Sequence, residues 1–378
     1  MLVALTEKQE PFVLHSNLSH AVLRRLKEEK TFFCPQCGEP LQMKLGTIKM
    51  PHFAHYSKSQ CESRFSEGET FQHLQGKQQL YELFKTLQLF VELEPYLKDI
   101  QQRPDLLIVK NNTAYAIEFQ CSPINGERFI ERNQGYAQKE IVPIWIPLTP
   151  IQKVKQSRFQ KITISHQLQL FRNGQHQPRY IMTYHPSTKQ FYYFSNLLHL
   201  NGISFISKIS RIPLLQQHFP FYQPKPLTTD EFSFIYKAYH QFIKEFLQRR
   251  VLLSRKGVND LFLRSLYELR LNFQELPNFL RVPVFGSEVM KECTVEWQTE
   301  LLYFLHLCGI RVNAVNEQTI AEFLRWSNRE CSSEALQLVL QYTNLLKELR
   351  VENAKSSVKD GHLKDLLYRQ FLATEGKY

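Results

Sequence analysis

Residues 103–120 read RPDLLIVKNNTAYAIEFQ, and this stretch decides how the middle of the chain folds. It contains two strand-like runs, residues 105–109 and 114–120. Asp105 opens the first run, and Glu118 and Gln120 lie near the end of the second. Because residues two apart on a strand share a face, Glu118 and Gln120 point the same way, and Asp105 can join them from the neighbouring strand. The stretch therefore predicts a polar site at the ends of two strands.

The residue types at this site favour a hard metal ion. The carboxylates of Asp105 and Glu118, helped by a backbone carbonyl such as that of Phe119, form an oxygen site suited to Mg²⁺ or Mn²⁺. Such an ion lowers the pKa of a bound water and stabilises charge on a phosphodiester. The alternative interpretation of the same residues is a solvated strand end.

The flanking sequence predicts a compact α/β unit around this site. Apolar residues at helical spacing predict a helix over residues 67–89. Strands are predicted over residues 90–96, 105–109 and 114–120, then a polar helix over 126–139 and an apolar strand over 141–146. The predicted order is helix, three strands, helix, strand.

This order, with Pro104-Asp105 followed by Glu118-Phe119-Gln120, resembles the restriction-endonuclease-like core of the PD-(D/E)xK nucleases. Those enzymes usually carry a lysine where Gln120 stands here. A glutamine can orient a water molecule but supplies no positive charge. A nearby cation, Lys77 or Lys139, is the candidate to replace it.

Two helices add residues to the predicted site. Glu69, His73 and Lys77 are spaced four apart and share one helix face. The resemblance to RecB-like nucleases implies that Glu69 or His73 completes the metal shell, so the predicted catalytic set is Glu69, His73, Asp105, Glu118 and Gln120. Ordinary charges on a solvated helix face are the alternative. The DNA contacts predicted on these two helices are Lys77, Arg132 and Tyr136.

A second metal site is predicted near the N-terminus. Cys34-Pro-Gln-Cys37-Gly38 has the form of a zinc knuckle, in which two thiolates three positions apart close on one ion. His52, His55 and Cys61 follow, which makes five candidates for four ligand positions. Either Cys61 with one histidine, or both histidines without Cys61, completes a structural site; a chance CxxC is the alternative.

The positive charge is concentrated in one region. The chain has 378 residues and a net charge of +11, yet residues 141–229 contain ten basic residues and no acidic one. This region is predicted to be an antiparallel β-sheet over 160–210, with Asn-Gly turns at 173–174 and 201–202, followed by a proline-rich linker at 213–226. It is predicted to form a groove for DNA phosphates, because Lys and Arg are rarely buried unpaired. The DNA-binding residues predicted there are Lys153, Lys155, Arg158 and Lys161.

The remaining features argue for a cytoplasmic protein. The N-terminal residues lack the basic and apolar segments of a secretory signal, and no apolar run is long enough to span a membrane. Seven unevenly placed cysteines do not form a disulfide framework. From residue 229 onward, apolar residues recur at helical spacing, so the C-terminal region is predicted to be mainly helical.

Several of these motifs together resemble the competence protein CoiA family. They are CPQCG, KLGTIKMPHFAH, QRPDLLI, AIEFQCS, ERNQGY and VPIWI, all within residues 1–150. The resemblance implies a nuclease-like core and a role in natural transformation, in which incoming single-stranded DNA is recombined. It also implies DNA, single-stranded or branched, and recombination proteins as partners.

The sequence thus predicts four parts: a zinc-knuckle module (1–65), a nuclease-like core (66–150), a basic β-rich region (151–228) and a helical domain (229–378). The predicted function is that of a deoxyribonuclease dependent on Mg²⁺ or Mn²⁺. The alternative is a non-cleaving DNA-binding adaptor that recruits recombination proteins.

Overall fold

The structure is a computed structural model that describes residues 1–15, 18–46, 50–57, 61, 70–150, 157–173 and 179–372. It is a mixed α/β protein with three sheets and a helical C-terminal region. None of the helices within these residues combines the length and the apolar character needed to cross a membrane.

The N-terminal module is built on a sheet with the strand order β2-β1-β3-β4-β5. Every neighbouring pair in this sheet is antiparallel. Helix α1 begins after Ser19, whose side chain accepts a hydrogen bond from the Val22 amide and so satisfies one free donor of the first turn. The elements are β1 (Val3–Leu5), β2 (Pro11–Val13), α1 (His20–Glu29), β3 (Phe32–Phe33), β4 (Pro40–Lys44) and β5 (His52–His55).

The middle of the chain has the predicted order of helix, three strands, helix and strand. Its four strands lie in the order β6-β7-β8-β9, and only β8 and β9 are parallel. A parallel pair needs a crossover connection, and α3 provides it. The elements are α2 (Phe71–Thr86), β6 (Phe90–Leu93), β7 (Leu106–Lys110), β8 (Thr113–Gln120), α3 (Gly126–Gln138) and β9 (Val142–Pro147).

The third sheet confirms the predicted antiparallel arrangement, with the order β10-β14-β13-β12-β11. One predicted turn, at Asn201-Gly202, joins β13 to β14 with Gly202 at φ +57°. The other predicted turn includes Gly174, which lies outside the described residues. The elements are β10 (Phe159–Thr163), α4 (His166–Leu170), β11 (Arg172–Asn173), β12 (Tyr180–His185), β13 (Gln190–Asn201) and β14 (Ser204–Pro213).

The segment 213–226, predicted to be a linker, is packed onto the core instead. Phe219 and Phe221 are buried, and their rings lie 5.9 and 6.1 Å from the ring of Phe84 on α2. Burying two phenylalanines removes a large apolar area from water, which holds the segment in place. Four prolines in this segment suggested a spacer, because proline content indicates irregular backbone without indicating whether that backbone is buried.

The C-terminal region is helical, as predicted, and its apolar stripes form one large buried cluster. Its first helix is capped by Thr228 and Glu231, whose side chains each bond the other residue's backbone amide. The helices are α5 (Thr229–Leu252), α6 (Leu261–Glu268), α7 (Thr294–Leu307), α8 (Glu317–Trp326), α9 (Ser333–Glu348) and α10 (Asp360–Leu372).

Candidate functional site

Four of the five residues of the predicted active site, His73, Asp105, Glu118 and Gln120, meet in one cleft. Asp105 precedes β7 and Glu118 lies in β8, where the pairing of Leu106 with Ile117 places the two acids side by side. The cleft has a volume of about 90 Å³. Its walls include five of the residues singled out from the sequence, which are His73, Asp105, Glu118, Gln120 and Arg132.

Asp105 is held from three sides. Its Oδ2 accepts hydrogen bonds from the Phe119 amide at 2.8 Å and from His73 Nε2 at 3.1 Å. Its Oδ1 lies 3.6 Å from Lys77 Nζ. Burial alone would raise the pKa of Asp105, but the neighbouring His73 and Lys77 and the hydrogen bond from the Phe119 amide outweigh this effect and hold the pKa at about 2. Asp105 is therefore ionised at neutral pH.

A glycine on α2 allows this arrangement. A Cβ atom built at Gly76 would lie 2.0 Å from Cε1 of Phe119 on β8, closer than packed atoms approach. Only glycine lets α2 lie so near the strand at this point. Because of that close approach, His73 and Lys77, one turn apart on α2, both reach Asp105.

Lys77 has a second acidic partner, Glu94. The Lys77 side chain is 1% exposed and donates to Glu94 Oε1, while Glu94 is 2% exposed. The other oxygen of Glu94 accepts from the amides of Leu2 at 2.8 Å and Val3 at 3.2 Å. This buried pair therefore joins the N-terminal strand to the helix that borders the cleft.

Glu118 is held by two side chains of α3. Arg132 Nη2 and the Tyr136 hydroxyl both donate to Glu118 Oε1, and Arg132 Nη2 also donates to the Tyr136 oxygen at 2.8 Å. Burial, with the charge of Asp105, raises the pKa of Glu118, although Arg132 and Tyr136 oppose the rise. A bound cation would oppose this rise, because it favours the charged carboxylate.

These positions change the predicted roles of three residues. Lys77, Arg132 and Tyr136 were predicted to contact DNA, but all three side chains are buried, at 1%, 7% and 0% exposed. They bond the acids of the cleft instead, so a direct DNA contact does not agree with their positions. Helical spacing correctly predicts which residues of a helix share a face. In both helices that face packs toward the sheet rather than facing solvent.

The other predicted residues fall into two groups. Gln120 lines the cleft, and its Nε2 donates to the Ser122 carbonyl at 2.7 Å. Lys139 is paired with Asp99 at the surface, so Lys77 is the cation that lies beside the acids. Three predicted site residues, Glu69, Lys153 and Lys155, lie outside the described residues.

Sequence reasoning missed some residues of the site. Glu94 was missed because it follows the exposed Glu92 at strand spacing, which suggests a shared solvent face; its φ of +50° instead turns it out of the strand. Arg103 and Arg128 also line the cleft. Arg103 directly precedes Pro104-Asp105, so its place next to the motif was the available signal.

The basic region contains no acid of its own, but acids of the C-terminal region pair with three of its cations. Glu231 pairs with Lys208 at 2.8 Å and also with Arg158, while Glu288 pairs with Arg172 at 2.6 Å. The C-terminal region follows the third sheet in sequence and packs against it. Arg158 nevertheless remains 63% exposed, and Lys161 is exposed as well.

The N-terminal cysteines form a group that can hold a metal ion. The ligand atoms of Cys34, Cys37, His55 and Cys61 all lie within 4.8 Å of one another. No other set of three or more Cys, His, Asp or Glu side chains in the described part of the chain is so close. His52 is not a member of this group, whose one histidine is His55; its Nδ1 bonds the Met50 carbonyl at 2.9 Å. The structure therefore selects one of the alternatives that the sequence left open.

The chemistry of this group suits a cation. Burial raises the pKa of the Cys37 thiol to about 12, and the neighbouring Cys61 and Cys34 contribute to the rise. Burial lowers the pKa of His55, which favours the neutral ring that a metal ion binds. Three thiolates and a neutral imidazole are a common tetrahedral ligand set for a structural metal ion, and a bound cation would favour the thiolate form. Gly38, at φ +73°, allows the turn after Cys37.

The fold and the two sites define a class: a mixed α/β protein with an acidic cleft at strand ends and a Cys₃His group. Comparisons with known proteins agree. The chain matches the N-terminal domain (residues 15–64), the nuclease-like domain (69–225) and the C-terminal domain (234–366) of competence protein CoiA. It is 31% identical to competence protein CoiA of Bacillus subtilis (strain 168) over 335 residues, which is 85% of this chain and 87% of that protein.

The chain therefore belongs to the competence protein CoiA family, as its motifs indicated. No solved structure matches it.

Proposed function

We propose that this protein is a divalent-metal-dependent DNA nuclease of natural competence, acting in the cytoplasm on single-stranded or branched DNA. The observation that carries the proposal is the meeting of Asp105 and Glu118 from adjacent strands in a cleft that also contains His73 and Gln120. The match to a nuclease-like domain and the name of the Bacillus subtilis relative support it.

Asp105 and Glu118 are the proposed ligands of Mg²⁺ or Mn²⁺. Both offer carboxylate oxygens, and the backbone carbonyl of Phe119 is a further oxygen of the kind these ions prefer. A bound ion would lower the pKa of a coordinated water and stabilise negative charge on a phosphodiester. Glu69 or His73 is proposed to complete the shell, as the PD-(D/E)xK resemblance implies.

The surrounding side chains have separate proposed roles. Lys77 provides the positive charge that Gln120 cannot, since its ammonium group lies 3.6 Å from Asp105 Oδ1. Gln120 uses its amide nitrogen on Ser122, so its amide oxygen is the group that can accept from a water. Arg103 and Arg128, also in the walls of the cleft, suit a DNA phosphate.

One observation favours the alternative of a non-cleaving DNA-binding adaptor. Arg132 and Tyr136 already occupy Glu118 Oε1, and the usual lysine position holds Gln120. In that case the cleft binds DNA without hydrolysis, and recombination proteins of the transformation machinery are the partners. Lys153, Lys155, Arg158 and Lys161 are proposed DNA contacts in both cases.

The two functions are separated by incubating the purified protein with single-stranded, double-stranded and branched DNA in Mg²⁺ or Mn²⁺. The nuclease predicts metal-dependent cleavage that stops when EDTA is added. The adaptor predicts binding with no cleavage of any of the three substrates in either metal. Loss of binding between low and moderate salt is expected for both, because phosphate contacts release counterions.

The N-terminal group is proposed to hold one structural Zn²⁺. We expect about one zinc per chain by elemental analysis after purification without chelators, and none in Cys34→Ser or His55→Ala. His52→Ala is the matched control: the ring of His52 is not part of the group of Cys34, Cys37, His55 and Cys61, so this variant is expected to keep its zinc. Zinc lost from His52→Ala but retained by His55→Ala would contradict the assignment.

A further inference from the structure

A second cleft lies where the third sheet meets α5, and it shares no residue with the Asp105 cleft. Its volume is about 380 Å³, within the range of roughly 300–1,000 Å³ typical of ligand sites. Lys161, Asn201 and Ser204 line it from the sheet, and Phe242, Phe246 and Arg249 line it from α5. We call it the α5 cleft.

The charge of the α5 cleft is of one sign. None of its lining residues, all of which are described, is acidic. One of its cations, Arg250, is committed to Glu296 at 2.7 Å and to Asp260 at 2.8 Å. Lys161 and Arg249 form no ion pair with a described residue and are both exposed, so they can receive an anion.

Flat apolar surface lies directly beside these cations. The rings of Phe242 and Phe246 are 6.1 Å apart with an angle of 25° between their planes, and both are only partly buried. Lys161 Nζ lies 4.7 Å from the centre of the Phe242 ring. A cation next to a stacking surface is the combination that binds the phosphate and the base of one unpaired nucleotide.

The sequence contains a local cluster of cations beside this cleft, although the net charge of the helical region is close to zero. Residues 249–256 read RRVLLSRK, with four cations in one short run at the end of α5. Residues 230–378 hold 20 basic and 19 acidic residues, so this local excess disappears in the sum. The positive region of the third sheet thus continues onto the C-terminal region.

We propose that the α5 cleft binds one nucleotide of single-stranded DNA, with the base against Phe242 and Phe246 and the phosphate at Lys161 and Arg249. Asn201 and Ser204 provide groups that can both donate and accept hydrogen bonds. The inference rests on the proposed function for the choice of DNA as ligand. It adds a DNA contact made by the C-terminal region, at a distance from the proposed site of hydrolysis.

The first test replaces both rings by leucine. Phe242→Leu with Phe246→Leu keeps the apolar contacts of α5 but removes the stacking surface. We expect a 20-nucleotide oligo-dT to bind about 10-fold more weakly by fluorescence anisotropy, within the range known for base stacking on aromatic side chains. A blunt duplex is expected to bind unchanged, because its bases are already stacked on each other.

A matched control lies on the same helix. Phe234 is 56% exposed and stands outside the cleft, so Phe234→Leu is expected to leave oligo-dT binding unchanged. Equal losses for Phe234→Leu, equal losses for the duplex, or no loss in the double variant would each overturn the proposal. Circular dichroism establishes that the variants are folded.

The second test does not depend on the fold of a ring variant. Oligo-dT in which 5-iododeoxyuridine replaces thymidine is photo-crosslinked to the unaltered protein, and we expect the crosslinked peptide to contain Phe242 or Phe246. Arg249→Gln is expected to lower the slope of log affinity against log salt by roughly 0.7, and Lys244→Gln, on the same helix but outside the cleft, is expected to leave it unchanged. Crosslinks found only elsewhere, or binding of an apolar peptide but not of oligo-dT, would exclude the assignment.

The same experiment separates this inference from the nuclease proposal. Asp105→Asn is expected to lose cleavage but to keep the crosslink in α5. A crosslink at Phe242 without cleavage by the parent protein would refute the nuclease and retain the α5 cleft. Cleavage by the parent protein without a crosslink in α5 would retain the nuclease and refute the α5 cleft.

Discussion

Replacing Lys77 with methionine is expected to destabilise the protein by about 3–5 kcal/mol. The side chain of Lys77 is buried between Glu94 and Asp105, and methionine fills much of its volume without its charge. Glu94, which is 2% exposed, would then be a buried carboxylate without its cation. Removing one member of a buried pair has a cost of this size. Urea denaturation followed by circular dichroism measures it.

Two controls show whether charge is the cause. Adding Glu94→Gln to Lys77→Met removes the unpaired charge, while the glutamine oxygen can still accept from the Leu2 and Val3 amides, so part of the stability is expected to return. Lys139→Met removes the exposed partner of Asp99 and is expected to leave the midpoint unchanged, because surface pairs contribute little. A Lys77→Met protein as stable as the parent would contradict this account of the pair.

Replacing Asp105 with asparagine is expected to lower the free energy of unfolding by about 2 kcal/mol at pH 7. The folded-state pKa of Asp105 is about 2, below its ordinary value of 3.8. A lowered pKa means that the folded state favours the charged form, and a tenfold change in the acid dissociation constant corresponds to roughly 1.4 kcal/mol. Asparagine keeps the shape and an oxygen that can accept from Phe119 and His73, but it lacks the charge.

The loss depends on pH in a defined direction. The contribution of Asp105 is fully present above pH 3.8 and disappears as the pH falls through about 2. The difference between the parent and Asp105→Asn is therefore expected to shrink as the pH falls from 5 toward 2. Thermal melts of both proteins across this range measure it. A difference that stays constant or grows between pH 5 and pH 2 would show that the folded state does not favour the Asp105 charge.

Much of the fold could be predicted because its signals are local. Apolar periodicity predicts the order of elements from α2 to β9. The two adjacent strands predict that Asp105 and Glu118 lie close together in space. Cys34 and Cys37 could be assigned from their CxxC spacing, whereas Cys61 was part of only one of the two alternatives. The choice between His52 and His55 could not be made, since it depends on which ring lies next to the three cysteines in the folded chain.

What could not be predicted depends on partners that are distant in sequence. Glu94 and Lys77 meet only after α2 packs on the sheet, and Glu231 reaches Arg158 and Lys208 only after α5 packs on β14. Arg132 was assigned to DNA from its place on the helix, which does not reveal that its acidic partner, Glu118, lies on a strand. Periodicity shows which residues share a face, but it does not show what covers that face.

The central claim is that Asp105 works in metal-dependent DNA cleavage, and one comparison tests it most directly. Cleavage of single-stranded and branched DNA in Mn²⁺ is measured for the parent, for Asp105→Asn and for the surface control Asp99→Asn. We predict metal-dependent cleavage by the parent and by Asp99→Asn, and a rate lower by a factor on the order of 100 or more in Asp105→Asn, because a lost metal contact is worth several kcal/mol. Equal rates in all three proteins, or no cleavage by the parent, would contradict it.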